Sequence, residues 1–129
     1  MSAHLRNIEI KPIIGPSSIL MAMMSSGLNG QSFSFNGYLP IKEKQLIDKI
    51  KFYESKSKKE NQTQIFIETP YRNNKLLSKL IETLNPKSML CVASNINLQN
   101  QLIITKKVFL WKKTKIDINK QPTIFIFNY

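Results

Sequence analysis

The chain has 129 residues, 42% of them hydrophobic, and a formal charge of +11 from nineteen basic and eight acidic side chains. That length is enough for one domain with its own core. No apolar run approaches the roughly 20 residues that span a bilayer, so no membrane segment is expected, and Met1 is followed by polar residues rather than the apolar core of a secretory leader.

Ile8-Glu9-Ile10-Lys11 alternates apolar and polar residues and predicts a first strand, which Pro12 limits as a paired ladder. Ile14-Gly15-Pro16-Ser17-Ser18 is a turn rich in small residues, and Ser17 or Ser18 suits the N-cap of a buried helix over Ser17–Ser26. Backbone donors at such a helix start can also face a ligand. Gly27 suits the C′ stop. Ser32-Phe33-Ser34-Phe35 alternates strictly, which places two rings on one face of a second strand, ended at Asn36-Gly37-Tyr38-Leu39-Pro40.

A long amphipathic helix follows, with Leu46, Ile47, Ile50 and Tyr53 on one side. The polar stretch 55–63 predicts a loop, and Gln64-Ile65-Phe66-Ile67 a central strand. After the turn Glu68-Thr69-Pro70-Tyr71-Arg72, the residues Leu76, Leu77, Leu80, Ile81 and Leu84 recur at helical spacing, and Asn85-Pro86 stops them. Strands are predicted over Met89–Ala93, Leu102–Ile104 and Thr123–Phe127. A short helix is predicted over Val108–Trp111, with Phe109 and Trp111 buried beneath it. This order of elements predicts an α/β fold: a mixed five- to six-stranded sheet with flanking helices.

The catalytic sets that sequence can reveal are missing. His4 is the single histidine and Cys91 the single cysteine. No Ser-His-Asp triad, multi-His metal site or cysteine zinc site can be built from them. There is no P-loop and no Gly-x-Gly-x-x-Gly. Cys91 lies within an apolar run and reads as a small buried hydrophobe; with no disulfide available, a reducing, cytoplasmic compartment is expected.

Four turns remain, each at a predicted strand end: 15–18, 36–40, 68–72 and 93–95. Ligands of α/β sheets gather where such turns collect. Glu68 offers an acceptor there and Arg72 a phosphate or carboxylate contact, or the two form an ion pair that steadies their own turn. Lys106, Lys107, Lys112, Lys113, Lys115 and Lys120 form the densest basic run, opposed only by Asp117. It suits an anionic partner such as RNA. Seventeen of the nineteen basic residues are lysine, however, a residue that AT-rich coding favours along with Asn and Ile.

Taken in order, Ile14-Gly15-Pro16-Ser17-Ser18, Ser26-Gly27-Leu28, Gly37-Tyr38-Leu39-Pro40, Glu68-Thr69-Pro70-Tyr71-Arg72 and Ala93-Ser94-Asn95-Ile96-Asn97 form a series. It resembles the C-terminal half of the tetrapyrrole methylase superfamily, in particular the ribosomal RNA small-subunit methyltransferase I group. The resemblance implies an S-adenosylmethionine (SAM) dependent methyltransferase of two α/β domains, with the cofactor in the cleft between them, and a homodimer. It implies cofactor contacts from Ser17 and Ser18 and from Glu68 on the adenosine side. It implies others from the backbone at Cys91 and Val92, and from Pro122, Thr123 and Ile124 near the adenine. Residues 1–129 would form the C-terminal domain, without the N-terminal domain that carries the family's Gly-rich loop. The family's Pro-His-Arg is Pro70-Tyr71-Arg72 here, and its Arg-Glu after Ala93 is Ser94-Asn95. A basic RNA-binding module without catalysis and a truncated remnant are the rival readings.

Overall fold

The structure, a computed structural model, describes residues 1–129. A four-residue helix, α1 (Ser2–Leu5), opens the chain, followed by α2 (Ser18–Ser26), β1 (Phe33–Tyr38), α3 (Glu43–Glu60) and β2 (Thr63–Ile67). A 3₁₀ turn at Pro70–Arg72 leads into α4 (Asn73–Thr83), then β3 (Met89–Ser94), β4 (Leu102–Lys107), α5 (Val108–Trp111) and β5 (Thr123–Asn128). The five strands make one mixed sheet in the order β1-β2-β5-β3-β4. β1 and β2 are parallel across the α3 crossover, and every other pair is antiparallel. The α/β class and the mixed sheet stand as the sequence predicts, at five strands.

Strand alternation divides the core in two. On one face Phe66, Leu90, Val92, Phe125 and Phe127 pack against Leu46 and Ile50 of α3 and Leu76, Leu77 and Leu80 of α4. On the other, Ile65, Cys91, Ala93, Ile124 and Ile126 pack against Ala22 and Met23 of α2. The final strand of the chain therefore runs through the middle of the sheet, and its Phe125 and Phe127 are fully buried.

Three expectations are corrected. Ile8–Lys11 is no strand: residues 8–17 join no ladder, and Ile13 and Ile14 are 95% and 102% exposed. Alternation alone makes no strand without an edge to pair with. Residues 55–60 are not loop but the last turns of α3, capped by Asn61 in the left-handed region (φ 47°). Those turns are anchored by contacts a polar pattern cannot show: the Tyr129 N–H donates to Ser57 Oγ (3.1 Å), and the Asn85 N–H and Ser88 hydroxyl donate to Glu54 Oε1 (2.7 and 2.6 Å). β1 runs on to Tyr38 through a register shift after Phe35, where Gly37 takes φ 69°, a value glycine adopts without strain.

α2 carries the expected caps. Ser17 Oγ accepts from the Leu20 N–H at 3.5 Å, a long bond, and Gly27 ends the helix at φ 70°.

Candidate functional site

The carboxyl ends of β2 and β3 meet the start of β5 at one end of the sheet, because β5 is antiparallel to both. A hollow of about 370 Å³ opens there, within the usual range for small-molecule sites. Its walls are Ile67, Glu68 and Pro70 after β2, Ala93, Asn95, Ile96 and Leu98 after β3, and Pro122, Thr123 and Ile124 leading into β5. Ser18, at the first turn of α2, closes one side.

Hydrogen bonds between residues 94–95 and 121–123 set the rim. Asn95 takes φ 49°, its N–H donates to the Pro122 carbonyl (3.0 Å), and its side-chain amide donates to Gln121 Oε1 (3.0 Å). The Ser94 hydroxyl donates to the same Gln121 oxygen (3.0 Å), and the Thr123 hydroxyl donates to Ser94 Oγ (2.9 Å). These bonds tie the strand exits together and leave the apolar side chains of Ile67, Ile96, Leu98 and Ile124 facing the hollow.

Glu68 is the one carboxylate in the wall, with its side chain 7% exposed. Its Oε1 accepts from the Thr69 N–H (2.6 Å) and from Arg72 Nε (3.1 Å) and Nη2 (2.7 Å). The carboxylate's hydrogen bond raises the Arg72 guanidinium above its ordinary pKa, so Arg72 stays charged at any working pH. Every chain hydrogen bond to Glu68 falls on Oε1, and Oε2 has no partner within the chain. The ion-pair expectation for Glu68 and Arg72 is therefore realised.

Of the residues singled out by sequence, Ser18, Glu68, Pro122, Thr123 and Ile124 come together at the hollow. Ser17 is one residue outside its lining, in the N-cap. Cys91 and Val92 lie outside the lining of the hollow: they sit mid-strand with β4 and β5 on either side, wholly buried. Ala93 and Asn95, just beyond, hold the strand-exit position instead. Burial also pushes the Cys91 thiol above its ordinary pKa, which makes it a poor nucleophile. Pro70 and Ile96 lie in motif blocks of the sequence but were not named as contacts, and the apolar Ile67 and Leu98 gave no chemical signal.

Of the basic run, Lys120 adjoins the hollow, its N–H donating to the Pro70 carbonyl (3.1 Å), while Lys106, Lys107, Lys112 and Lys113 lie elsewhere. Lys107 pairs with Met89, at the end of β3 opposite the hollow. Lys106 Nζ donates to Thr114 Oγ1 (2.9 Å) and stands 4.8 Å from the centre of the Trp111 ring. Lys112 borders a depression of about 540 Å³ between α4 and residues 111–116, on the outer surface away from the strand ends, and Lys113 is exposed. Trp111 is buried as expected, but Phe109 is 46% exposed, because α5 is a single turn and covers one ring only. No cluster of His, Cys, Asp and Glu suits a metal ion, and no helix is long and apolar enough to cross a membrane.

No protein-family model matches the chain. It is 32% identical over 123 residues to the "Ribosomal RNA small subunit methyltransferase I" of Buchnera aphidicola subsp. Schizaphis graminum, covering 93% of this chain and 42% of that protein. It is 35% identical over 77 residues to the protein of the same name from Vibrio cholerae, covering 60% of this chain and 25% of that one. The chain thus spans less than half the length of these curated relatives. Among solved structures, the methyltransferase CobJ superposes over 98% of this chain and 54% of its own, with a TM-score of 0.59 at 15% identity. The cobalt precorrin-4 methyltransferase CbiF gives a TM-score of 0.58 at 10% identity, over 97% of this chain and 54% of its own. The fold is that of the tetrapyrrole methyltransferases, and the chain resembles the ribosomal RNA small-subunit methyltransferase I group along nearly its whole length.

Proposed function

We propose that this chain is the C-terminal domain of a SAM-dependent methyltransferase acting on ribosomal RNA, and that it supplies one wall of the cofactor cleft. The observation that carries this reading is the hollow at the strand ends, where an apolar lining surrounds a carboxylate with one unused oxygen. The residues fit the cofactor as one side of a site. Ile67, Ile96, Pro122 and Ile124 suit the adenine, and Glu68 Oε2 suits a ribose hydroxyl. SAM itself would bring the electrophilic methyl group. The task of the chain is to hold the nucleoside end and keep water from it, since methyl transfer depends on alignment of donor and acceptor more than on a side-chain nucleophile. The lack of a catalytic set agrees with this.

The curated relatives are more than twice the matched length, which supports a second domain closing the cleft. Pairing of two such molecules as a homodimer belongs to the same reading, as does a cytoplasmic setting. One wall makes only about half the contacts of a closed site. Calorimetric titration of the isolated chain with SAM should therefore give no measurable heat at micromolar concentrations. Sub-micromolar affinity would show that no second domain is needed.

A further inference from the structure

α3 turns an aromatic side chain away from the core. Leu46, Ile50 and Ser57 mark its buried side. Phe52 faces outward and is 56% exposed. Its ring forms a wall of two surface depressions. One, of about 480 Å³, is lined also by Pro40, Gln45, Asp48 and Lys49; the other, of about 310 Å³, by Ser55, Lys56, Lys59 and Glu60. The ring stands edge-on to Tyr53 (5.2 Å), and Lys49 Nζ is 5.1 Å from its centre.

Lysines border this ring on both sides. Lys44, Lys51 and Lys58 repeat every seven residues along one flank, and Lys49 and Lys56 along the other. Lys58 also donates to the Tyr129 hydroxyl (2.9 Å). The helix carries six lysines against four acidic residues, and two of the four are engaged away from the ring. Glu43 is paired with Lys79 (2.7 Å) and Glu54 is turned onto Asn85 and Ser88, which leaves Asp48 and Glu60. A solvated helix face needs no exposed phenyl ring between two lysine rows. An unpaired nucleic-acid strand does: its phosphates seek the lysines and its bases seek a ring on which to stack.

The helix also points the right way. Pro40, Ile41 and Leu46, at the start of α3, meet Glu68 and Arg72, and Glu68 is a wall of the strand-end hollow. From there the 18 residues of α3 run away from the hollow for roughly 27 Å. We infer that the outer face of α3, centred on Phe52, is a docking track for single-stranded RNA flanking the nucleotide that receives the methyl group. The assignment rests on the reading of the chain as half of an RNA methyltransferase, and it places the track on α3 rather than on the lysine run 106–115.

The test is fluorescence anisotropy of the full chain with a labelled, unstructured 15-nucleotide RNA at 50 mM salt. Phe52→Ala should weaken binding about tenfold with the salt dependence unchanged, as expected for a lost stacking platform. The triple change Lys44→Gln, Lys51→Gln and Lys56→Gln should lower the slope of log affinity against log salt by about 2, at roughly 0.7 per phosphate contact. Phe52 lies outside the core, so unchanged circular dichroism and Trp111 emission are expected for both variants. Parental affinity and slope in both variants would overturn the inference, as would failure of the parent chain to bind the RNA. Equal displacement of the RNA by polyglutamate, with Phe52→Ala binding like the parent, would mark a general polyanion surface and overturn it too. The same preparations titrated with SAM separate the two claims. Amide shifts at the hollow under millimolar SAM with RNA binding indifferent to Phe52 remove the track alone, whereas a Phe52-dependent RNA complex with no amide shifts at millimolar SAM removes the cofactor reading alone.

Discussion

Phe66→Ala should lower the stability of the chain by about 3–5 kcal/mol, the range for deleting a buried phenyl group and leaving its cavity. Phe66 is wholly buried on the second strand of the sheet. Its ring is stacked 5.4 Å from Phe127 and stands edge-on to Tyr53 at 5.1 Å. It therefore joins β2, β5 and α3, the elements that bring Glu68 to the end of the sheet. Domains of this size are stable by only about 5–15 kcal/mol, so the loss should be visible as a large fall in the urea midpoint. Phe66→Leu keeps most of the volume and should lose far less. A shift below about 1 kcal/mol for the alanine variant would mean that the ring is not in the core.

Trp111→Ala should have an effect of similar size, about 3–5 kcal/mol, for a different reason. Trp111 is 1% exposed, and its indole N–H donates to the Leu90 carbonyl of β3 at 2.9 Å. It is the anchor by which a one-turn helix and the basic segment after it are held to the sheet. Trp111→Phe separates the contributions. It keeps much of the apolar contact but leaves the Leu90 carbonyl without its donor, so it should cost about 1–3 kcal/mol. Denaturation followed by circular dichroism checks both variants. Equal losses for Phe and Ala would assign the whole effect to the hydrogen bond, and no loss for Phe would assign it to packing.

Much of the fold was legible because the signals were local. Ser17 and Gly27 bound α2, and Leu46 with Ile50 mark the inner stripe of α3. The run Thr123–Phe127 is a strand whose every residue is buried. What was not legible is relational. Ile8–Lys11 has the alternation of a strand and no neighbour to pair with, a matter decided by where the sheet edges fall. Residues 55–60 are polar because most of them face solvent at a helix end, and the contacts that hold this end, Tyr129 to the buried Ser57 and Asn85 and Ser88 to the neighbouring Glu54, come from far away in sequence. Nothing in the apolar character of Thr123–Phe127 tells that β5 divides the sheet between β2 and β3.

The site follows the same division. Glu68 and Ser18 stand out in sequence because they lie in strand-end turns and in the motif series, whereas Pro122–Ile124 carries no such signal and enters only through the family resemblance. Cys91 and Val92 lie within the ladder and Ala93 and Asn95 at its exit, because register against two neighbours decides where a strand stops being ladder and starts being wall. The helical stripe Leu46, Ile47, Ile50 and Tyr53 leaves Phe52 off the inner face, and the packing agrees, with Tyr53 against the core and Phe52 exposed.

The most direct test of the cofactor wall is a two-dimensional amide NMR titration of the isolated chain with millimolar SAM. Small, fast-exchange shifts confined to Ser18, Glu68, Ala93, Asn95, Thr123 and Ile124 are expected, and Glu68→Ala should remove them. No shifts at saturating SAM, or shifts centred on the Asn74 and Trp111 depression instead, would contradict the assignment of this strand-end hollow as one wall of a cofactor cleft.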